Sequence, residues 1–191
     1  MKQTTIKKHI QRLVLAAMFL ALGIVLPFLT GQIPQVGSML LPMHLPVLLC
    51  GLICGWKYGG AVGLVLPLLR YVMFGMPPIF PTGIAMTFEL AAYGAIAGFL
   101  YNRSKWQCVF ALYRSLLIAM AGGRIIWGVV RVLLTGVAGE AFTWQMFMAG
   151  AFLNAIPGIV LQLVFIPVLM VALDRTGMVR FSHSHTQIAE N

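Results

Sequence analysis

Acidic residues are scarce in this sequence, which has 4 Asp and Glu against 13 Lys and Arg in 191 residues. With so few carboxylates, the apolar segments hold no acidic cluster for Mg²⁺ and no second carboxylate for acid–base catalysis. The sequence also lacks a GxxxxGK[ST] phosphate loop, an HExxH zinc motif and a nucleophile elbow. We therefore predict that the chain is not an enzyme and has no cofactor or metal site of its own.

Cysteine is equally rare, with Cys50, Cys54 and Cys108 as the full set. Their spacing does not give the paired ligands of a zinc site, although Cys50 and Cys54 share one helical face, and we interpret all three as small buried packing residues. The formal charge of +9 does not indicate nucleic acid either, because the basic residues are scattered between apolar segments rather than gathered on one polar face.

Apolar residues, by contrast, dominate the chain. It is 60% hydrophobic and 9% charged with a mean hydropathy of +0.93, which predicts an integral membrane protein forming one domain over residues 1–191. An N-terminal secretory signal would need a small-residue cleavage site, and none follows Leu29, so the first apolar run is interpreted as a helix. Six runs could cross hydrocarbon, at approximately 12–29, 41–56, 58–74, 82–101, 109–134 and 144–173.

Lysine and arginine are absent from the connections TGQIPQVGSML, GMPPIFP and TGVAGEAF. Basic residues favour the cytoplasmic side of a membrane, so these connections are predicted to be outside and both termini cytoplasmic. The fold class that follows is an all-α bundle of six transmembrane helices.

Three arginines do not fit the cytoplasmic pattern, because Arg70, Arg124 and Arg131 lie in the outer half of the predicted bundle. Three further polar groups share that depth, namely His44, Glu89 and Asn154. Each charge inside a membrane costs about 2.5–3.5 kcal/mol even on lenient scales, so these side chains are expected to face the bundle interior or a water-filled cavity.

The stretch MAGGRIIWGVVRVLL sets Arg124 and Arg131 seven residues apart on one helical face, with Trp127 between them. Three arginines against one carboxylate leave two positive charges over, which predicts a small carboxylate ligand held by an arginine fork. Apolar lining is expected from Trp127, Trp144, Tyr71, Tyr93 and Phe80. Alternatively, Arg131 and Arg70 reach the interface, Arg124 pairs with Glu89 for structure alone, and the aromatic residues belong to the core or the interfacial belt.

Small residues recur at four-residue spacing, which is typical of close helix contacts in lipid. They are Ala17 and Ala21, then Gly51, Gly55, Gly59 and Gly63, then Gly94 and Gly98. The sequence does not say which of them face another protein. It also leaves open a different class of function, a secondary transporter with Glu89 as its proton site, although no inverted repeat is visible.

Two segments, LLPMHLPVLLCGLICGWKYGG and PLLRYVMFGMPPIFPTGIAMTFELAAYG, resemble the substrate-binding S components of energy-coupling factor (ECF) vitamin transporters. The six apolar runs, the AxxxA spacing and the long first outer loop extend the resemblance over roughly 12–173. It implies a six-helix S component that captures a vitamin outside and docks onto a transmembrane coupling subunit and two cytoplasmic ATPases, which use ATP and Mg²⁺. It also implies that Ala17 and Ala21 face the coupling subunit and that residues 31–39 gate the site.

S components of the subgroup that this chain resembles are assigned to pantothenate, pyridoxine or hydroxymethylpyrimidine, so site chemistry has to decide between them. Pantothenate would place its carboxylate on Arg124 or Arg70 and its other polar groups on Asn154, Glu89 and His44. The other two lack a carboxylate and would use Glu89 with aromatic stacking. The arginine excess favours pantothenate, and this preference disappears if Glu89 forms one ion pair while Arg70 and Arg131 point to the interface.

Overall fold

The computed structural model of the protein describes residues 2–29, 41–104, 107–137, 143, 145, 148 and 155–175. Across these ranges the chain is helical apart from short connections. The helices are α1 (Lys2–Leu29), α2 (His44–Cys54), α3 (Trp56–Phe74), α4 (Ile84–Arg103), α5 (Val109–Val137) and α6 (Ile156–Arg175), with a π-helical turn at Ile79–Gly83 before α4.

The helices follow the predicted apolar runs with shifts at their ends. Helix α1 begins at Lys2 rather than Arg12, because lysine and glutamine are good helix formers and continue the helix beyond the apolar segment. Helix α5 continues to Val137 rather than ending at 134. The last run was predicted to begin at 144, but most of 144–154 lies outside the described residues, and α6 is observed from Ile156.

Four segments among the described residues are long and apolar enough to cross a membrane, namely Ile6–Phe28, Ile79–Arg103, Val109–Val137 and Ile156–Asp174. Helix α2 has 11 residues and is about 16 Å long, which is too short to cross hydrocarbon alone, and α3 carries Lys57 and Arg70. The protein is thus an all-helical integral membrane protein over the described ranges. Six crossings and cytoplasmic termini remain predictions.

Glycines let α2, α3 and α4 pack backbone to backbone. A Cβ at Gly51 would meet the carbonyl oxygen of Gly94, and one at Gly94 would meet the carbonyl group of Gly59. A Cβ at Gly98 would lie 2.5 Å from the Gly51 carbonyl oxygen. The spacing of these glycines therefore reflects packing inside the bundle. Gly55, between α2 and α3, adopts φ = 102°, a conformation that a residue with a Cβ rarely takes.

Helix α1 lies against α2 and α3 with one face only. Ala16 and Phe19 are buried on that face, whereas Ala17 and Ala21 lie on the exposed side with other apolar residues. Cys50 and Cys54 are buried in the core as predicted, whereas Cys108 is only partly buried, because it lies in the connection before α5. We call the end of the bundle where α1 and α3 end and α2 and α4 begin the outer end, after its predicted orientation.

Candidate functional site

Glu89 is the centre of a buried polar cluster between α2, α4 and α5. Its Oε1 lies 3.0 Å from Nη1 of Arg124 and 3.5 Å from Nε2 of His44. His44 and Glu89 are each 1% exposed and Arg124 is 4% exposed. An arginine and a carboxylate buried at this depth must be paired, because an isolated charge in an apolar interior is expensive.

Helical geometry explains why these residues meet. Glu89 lies about 8 Å along α4 from the outer end, and His44 is the first residue of α2, whose N-terminus lies at the same end. Arg124 is near the middle of the longer α5. Because α4 and α5 run in opposite directions along the chain path and pack closely, the two charged side chains reach the same level.

Tyr93 completes the cluster one helical turn after Glu89. Its ring packs edge-on against the His44 ring, with centroids 5.1 Å apart and an interplanar angle of 77°. Gly123 makes room for the ring, since a Cβ there would lie 3.1 Å from its Cδ2 and Cε2 atoms. We call His44, Glu89, Tyr93 and Arg124 the Glu89 cluster.

Arg124 keeps unused hydrogen-bonding capacity. Nη1 contacts Glu89, whereas Nε and Nη2 are buried with no hydrogen-bond partner in the described part of the chain. Nε and Nη2 form one edge of the guanidinium, the edge that binds a carboxylate through two parallel hydrogen bonds. Both ring nitrogens of His44 also lack a hydrogen bond there. Buried donors without partners are rare in folded proteins, so each is a candidate contact for a ligand.

Arg131 lies nearer the outer end on the same side of α5. Its Nη1 donates a hydrogen bond of 2.8 Å to Oγ1 of Thr82, in the π-helical turn, and its guanidinium lies 5.9 Å from the ring centroid of Trp127. Arg131 contacts Thr82 in the π-helical turn, and Arg124 contacts Glu89 in α4. The two arginines are seven residues apart, and so are their two partners. Trp127 is half-buried between the two arginines.

Arg70 is separate from the Glu89 cluster. It is 4% exposed and lies between two phenylalanine rings, 6.0 Å from the centroid of Phe28 and 5.8 Å from that of Phe74. It makes no ion pair with Glu89 within 4 Å. The predicted surplus of positive charge is therefore divided among three places rather than gathered around one ligand.

The other residues predicted for the site or the partner surface are either exposed or outside the described residues. Asn154 and Trp144 lie outside the described residues, as do residues 31–39. Tyr71 and Phe80 are exposed at 36% and 48%. Ala17 and Ala21 lie on the exposed face of α1. No group of three potential metal ligands occurs among the described residues.

Three further residues that the structure shows as buried or in contact with site residues were not singled out in the sequence. Nothing in the sequence pattern marks Thr82 or Gly123, because the contact of each with Arg131 or with Tyr93 depends on how neighbouring helices pack. Gln162 is marked, as the single polar residue within IPGIVLQLVFIPVLM. It is 1% exposed, its Nε2 has no hydrogen-bond partner in the described ranges, and it shares the inward face of α6 with Ile166 and Met170.

Comparison with known proteins identifies the family of this chain. Neither curated proteins nor solved structures give a significant match. A family model described as "ECF transporter, substrate-specific component" matches residues 11–170, which is most of the chain and includes every member of the Glu89 cluster. The chain therefore belongs to the family of substrate-specific components of ECF transporters.

Proposed function

We propose that this S component binds a small vitamin that carries a carboxylate, with pantothenate as the first candidate. The observation that carries the proposal is the free edge of Arg124, whose Nε and Nη2 are buried without partners while Glu89 holds Nη1. A carboxylate is the group that satisfies both donors at once.

The other groups of the cluster suit the rest of such a ligand. The imidazole of His44 can donate or accept a hydrogen bond, and the Tyr93 ring supplies apolar surface beside it. The cluster is closed, since none of its four residues is more than 4% exposed. Binding therefore requires the outer end of the bundle to open and then to exclude water again.

A second candidate is pyridoxine or hydroxymethylpyrimidine, and the charge of the cluster favours it. With His44 neutral, Glu89 and Arg124 cancel each other, while Arg70 and Arg131 contact other residues. An uncharged heteroaromatic ligand would then stack near Tyr93 and His44 and hydrogen-bond to Glu89. The excess of arginines therefore no longer favours pantothenate, and its support comes from the free edge of Arg124.

Release inside the cell would depend on partners. Membership of the family implies association with a transmembrane coupling subunit and ATPase subunits, which bind and hydrolyse ATP with Mg²⁺. We place the contact with the coupling subunit on Ala17 and Ala21, because small residues on an exposed helical face allow another helix to approach closely. The site of action would be the plasma membrane of a bacterium.

Mass spectrometry of small molecules extracted from the purified protein, followed by calorimetric titration, tests the ligand. We expect pantothenate to be retained and its affinity to fall by about 1.5–3 kcal/mol in Arg124→Ala, the range for a hydrogen bond to a charged group. Arg103→Ala is a matched control, because Arg103 is exposed at the opposite end of α4 beside Phe99. Unchanged affinity in Arg124→Ala contradicts the role given to Arg124. A retained pyridine or pyrimidine would support the second candidate.

A further inference from the structure

Arg70 is a buried cation whose charge nothing nearby in the described part of the chain balances. It is 4% exposed, yet its Nε and Nη1 have no hydrogen-bond partner. Of the acidic residues that the structure describes, Glu89 is engaged by Arg124, and Asp174 lies at the other end of the bundle. A buried charge without a partner is costly, which makes this position a candidate binding site for an anion.

Two aromatic rings pack against the Arg70 guanidinium without balancing its charge. Phe28 and Phe74 pack edge to face, with centroids 4.9 Å apart, and both rings lie within about 6 Å of the guanidinium. Arginine tolerates such a position better than lysine, because its planar, weakly hydrated guanidinium packs against rings and still presents N–H groups to phosphate or carboxylate. The two rings are exposed at 43% and 37%, so the guanidinium lies one ring below the protein surface.

The position of Arg70 identifies the source of the anion. Phe74 is the last residue of α3, Phe28 is next to the last residue of α1, and Arg70 lies one helical turn, about 6 Å, before the end of α3. Helix α3 has 19 residues and is about 28 Å long, close to the thickness of the hydrocarbon core. With α3 crossing the membrane, as the sequence predicts, the ends of α1 and α3 lie at the boundary between hydrocarbon and headgroups, where an arginine one turn inside can extend to a phospholipid phosphate.

Apolar side chains around this point face lipid rather than the bundle. Val72 is 79% exposed, Met73 55% and Val25 56%, all at the same ends of α1 and α3. The Glu89 cluster, by comparison, is built from α2, α4 and α5. A ligand beside Arg70 would thus have its polar group at the charge and its apolar part along exposed helix faces, which is the shape of a membrane lipid.

We propose that Arg70, with Phe28 and Phe74, binds the phosphate group of a membrane phospholipid at the outer ends of α1 and α3. This site is distinct from the vitamin site and does not depend on which vitamin is bound. Lipid held there would fasten α1, the helix that exposes Ala17 and Ala21, to α3.

Native mass spectrometry of the detergent-solubilised protein, titrated with short-chain phosphatidylglycerol, tests the site. Arg70→Gln should bind this lipid roughly tenfold or more weakly than the wild type, because a charge-assisted hydrogen bond is lost. Arg131→Gln is the matched control, since it removes a positive charge from the same end of the bundle, and it should bind as the wild type does. Equal lipid binding by Arg70→Gln and the wild type overturns the proposal.

Two further probes identify what Arg70 recognises. A diacylglycerol of the same chain length lacks the phosphate and should bind weakly to all variants, whereas equally tight binding would refute phosphate recognition. Inorganic phosphate alone should not compete at millimolar concentration, and full competition by it would refute a lipid as the occupant. If Arg70→Gln does not fold, Arg70→Lys keeps the charge without the planar group and should still bind the lipid measurably less tightly than the wild type; equal binding would again refute the proposal.

Discussion

Replacing Glu89 with glutamine should change the affinity for the two candidate ligands in opposite directions. The substitution keeps the size of the side chain but removes its negative charge, so Arg124 loses its ion-pair partner at 3.0 Å. A carboxylate bound to the free edge of Arg124 would no longer be repelled by Glu89. An uncharged pyridine or pyrimidine would lose its charged hydrogen-bonding partner.

The size of each effect follows from the geometry of the guanidinium. A carboxylate on the free edge would lie about 6 Å from Glu89, where two like charges repel by about 3 kcal/mol at an effective dielectric constant of about 20. Removing that repulsion should tighten pantothenate binding by roughly tenfold to a hundredfold. For an uncharged ligand, the loss of a hydrogen bond to a charged group costs about 1.5–3 kcal/mol, which weakens binding by a similar factor.

Calorimetric titration of Glu89→Gln with pantothenate and with pyridoxine measures both effects on one sample. Breaking a buried ion pair can cost about 3–5 kcal/mol of stability, so the titration is done well below the unfolding temperature of the variant. Asp174→Asn is the matched control, because it also replaces a carboxylate by an amide, but near the C-terminal end of α6 and far from the Glu89 cluster. Weaker pantothenate binding in Glu89→Gln would refute the idea that Glu89 and the ligand share Arg124.

Two other substitutions test the packing and the partner surface. Gly94→Ala should destabilise the protein by about 1–3 kcal/mol in thermal unfolding, because the new Cβ would meet the backbone of Gly59, whereas Gly136→Ala, which has nothing within 4 Å, should be neutral or slightly stabilising. Equal effects at the two glycines would contradict the close backbone contact. Ala21→Leu should abolish vitamin uptake by reconstituted vesicles while leaving ligand affinity unchanged, because Ala21 is exposed on α1; uptake at the wild-type rate would remove Ala21 from the partner surface.

Much of the fold could be predicted from the sequence, because hydropathy and length are properties of consecutive residues. The ends of the apolar runs agree with most observed helix ends to within a few residues. The glycine spacing indicated the close helix packing in which Gly51, Gly59 and Gly94 take part. The start of α1 was placed too late, since hydropathy does not detect a helix that continues into polar sequence.

The sequence named the four residues of the Glu89 cluster among its candidates but did not separate them from Arg70 and Arg131. Counting residues from the helix ends correctly gave Glu89 and His44 similar depths, and Arg124 was expected to pair with Glu89 in one of the two interpretations. The contacts of the other two arginines depend on how each helix is rotated and on which helices lie beside it, and neither can be read from one segment of sequence. Arg131 contacts Thr82, and Arg70 lies between Phe28 and Phe74.

Composition and hydropathy were thus enough to identify a membrane helix bundle with a few charged groups in its apolar part, because they decide which solvent a chain can enter. The three different surroundings of the three arginines became visible in the folded structure alone. A charge in a low-dielectric interior is stabilised by the groups within a few ångströms of it, and those groups come from other helices.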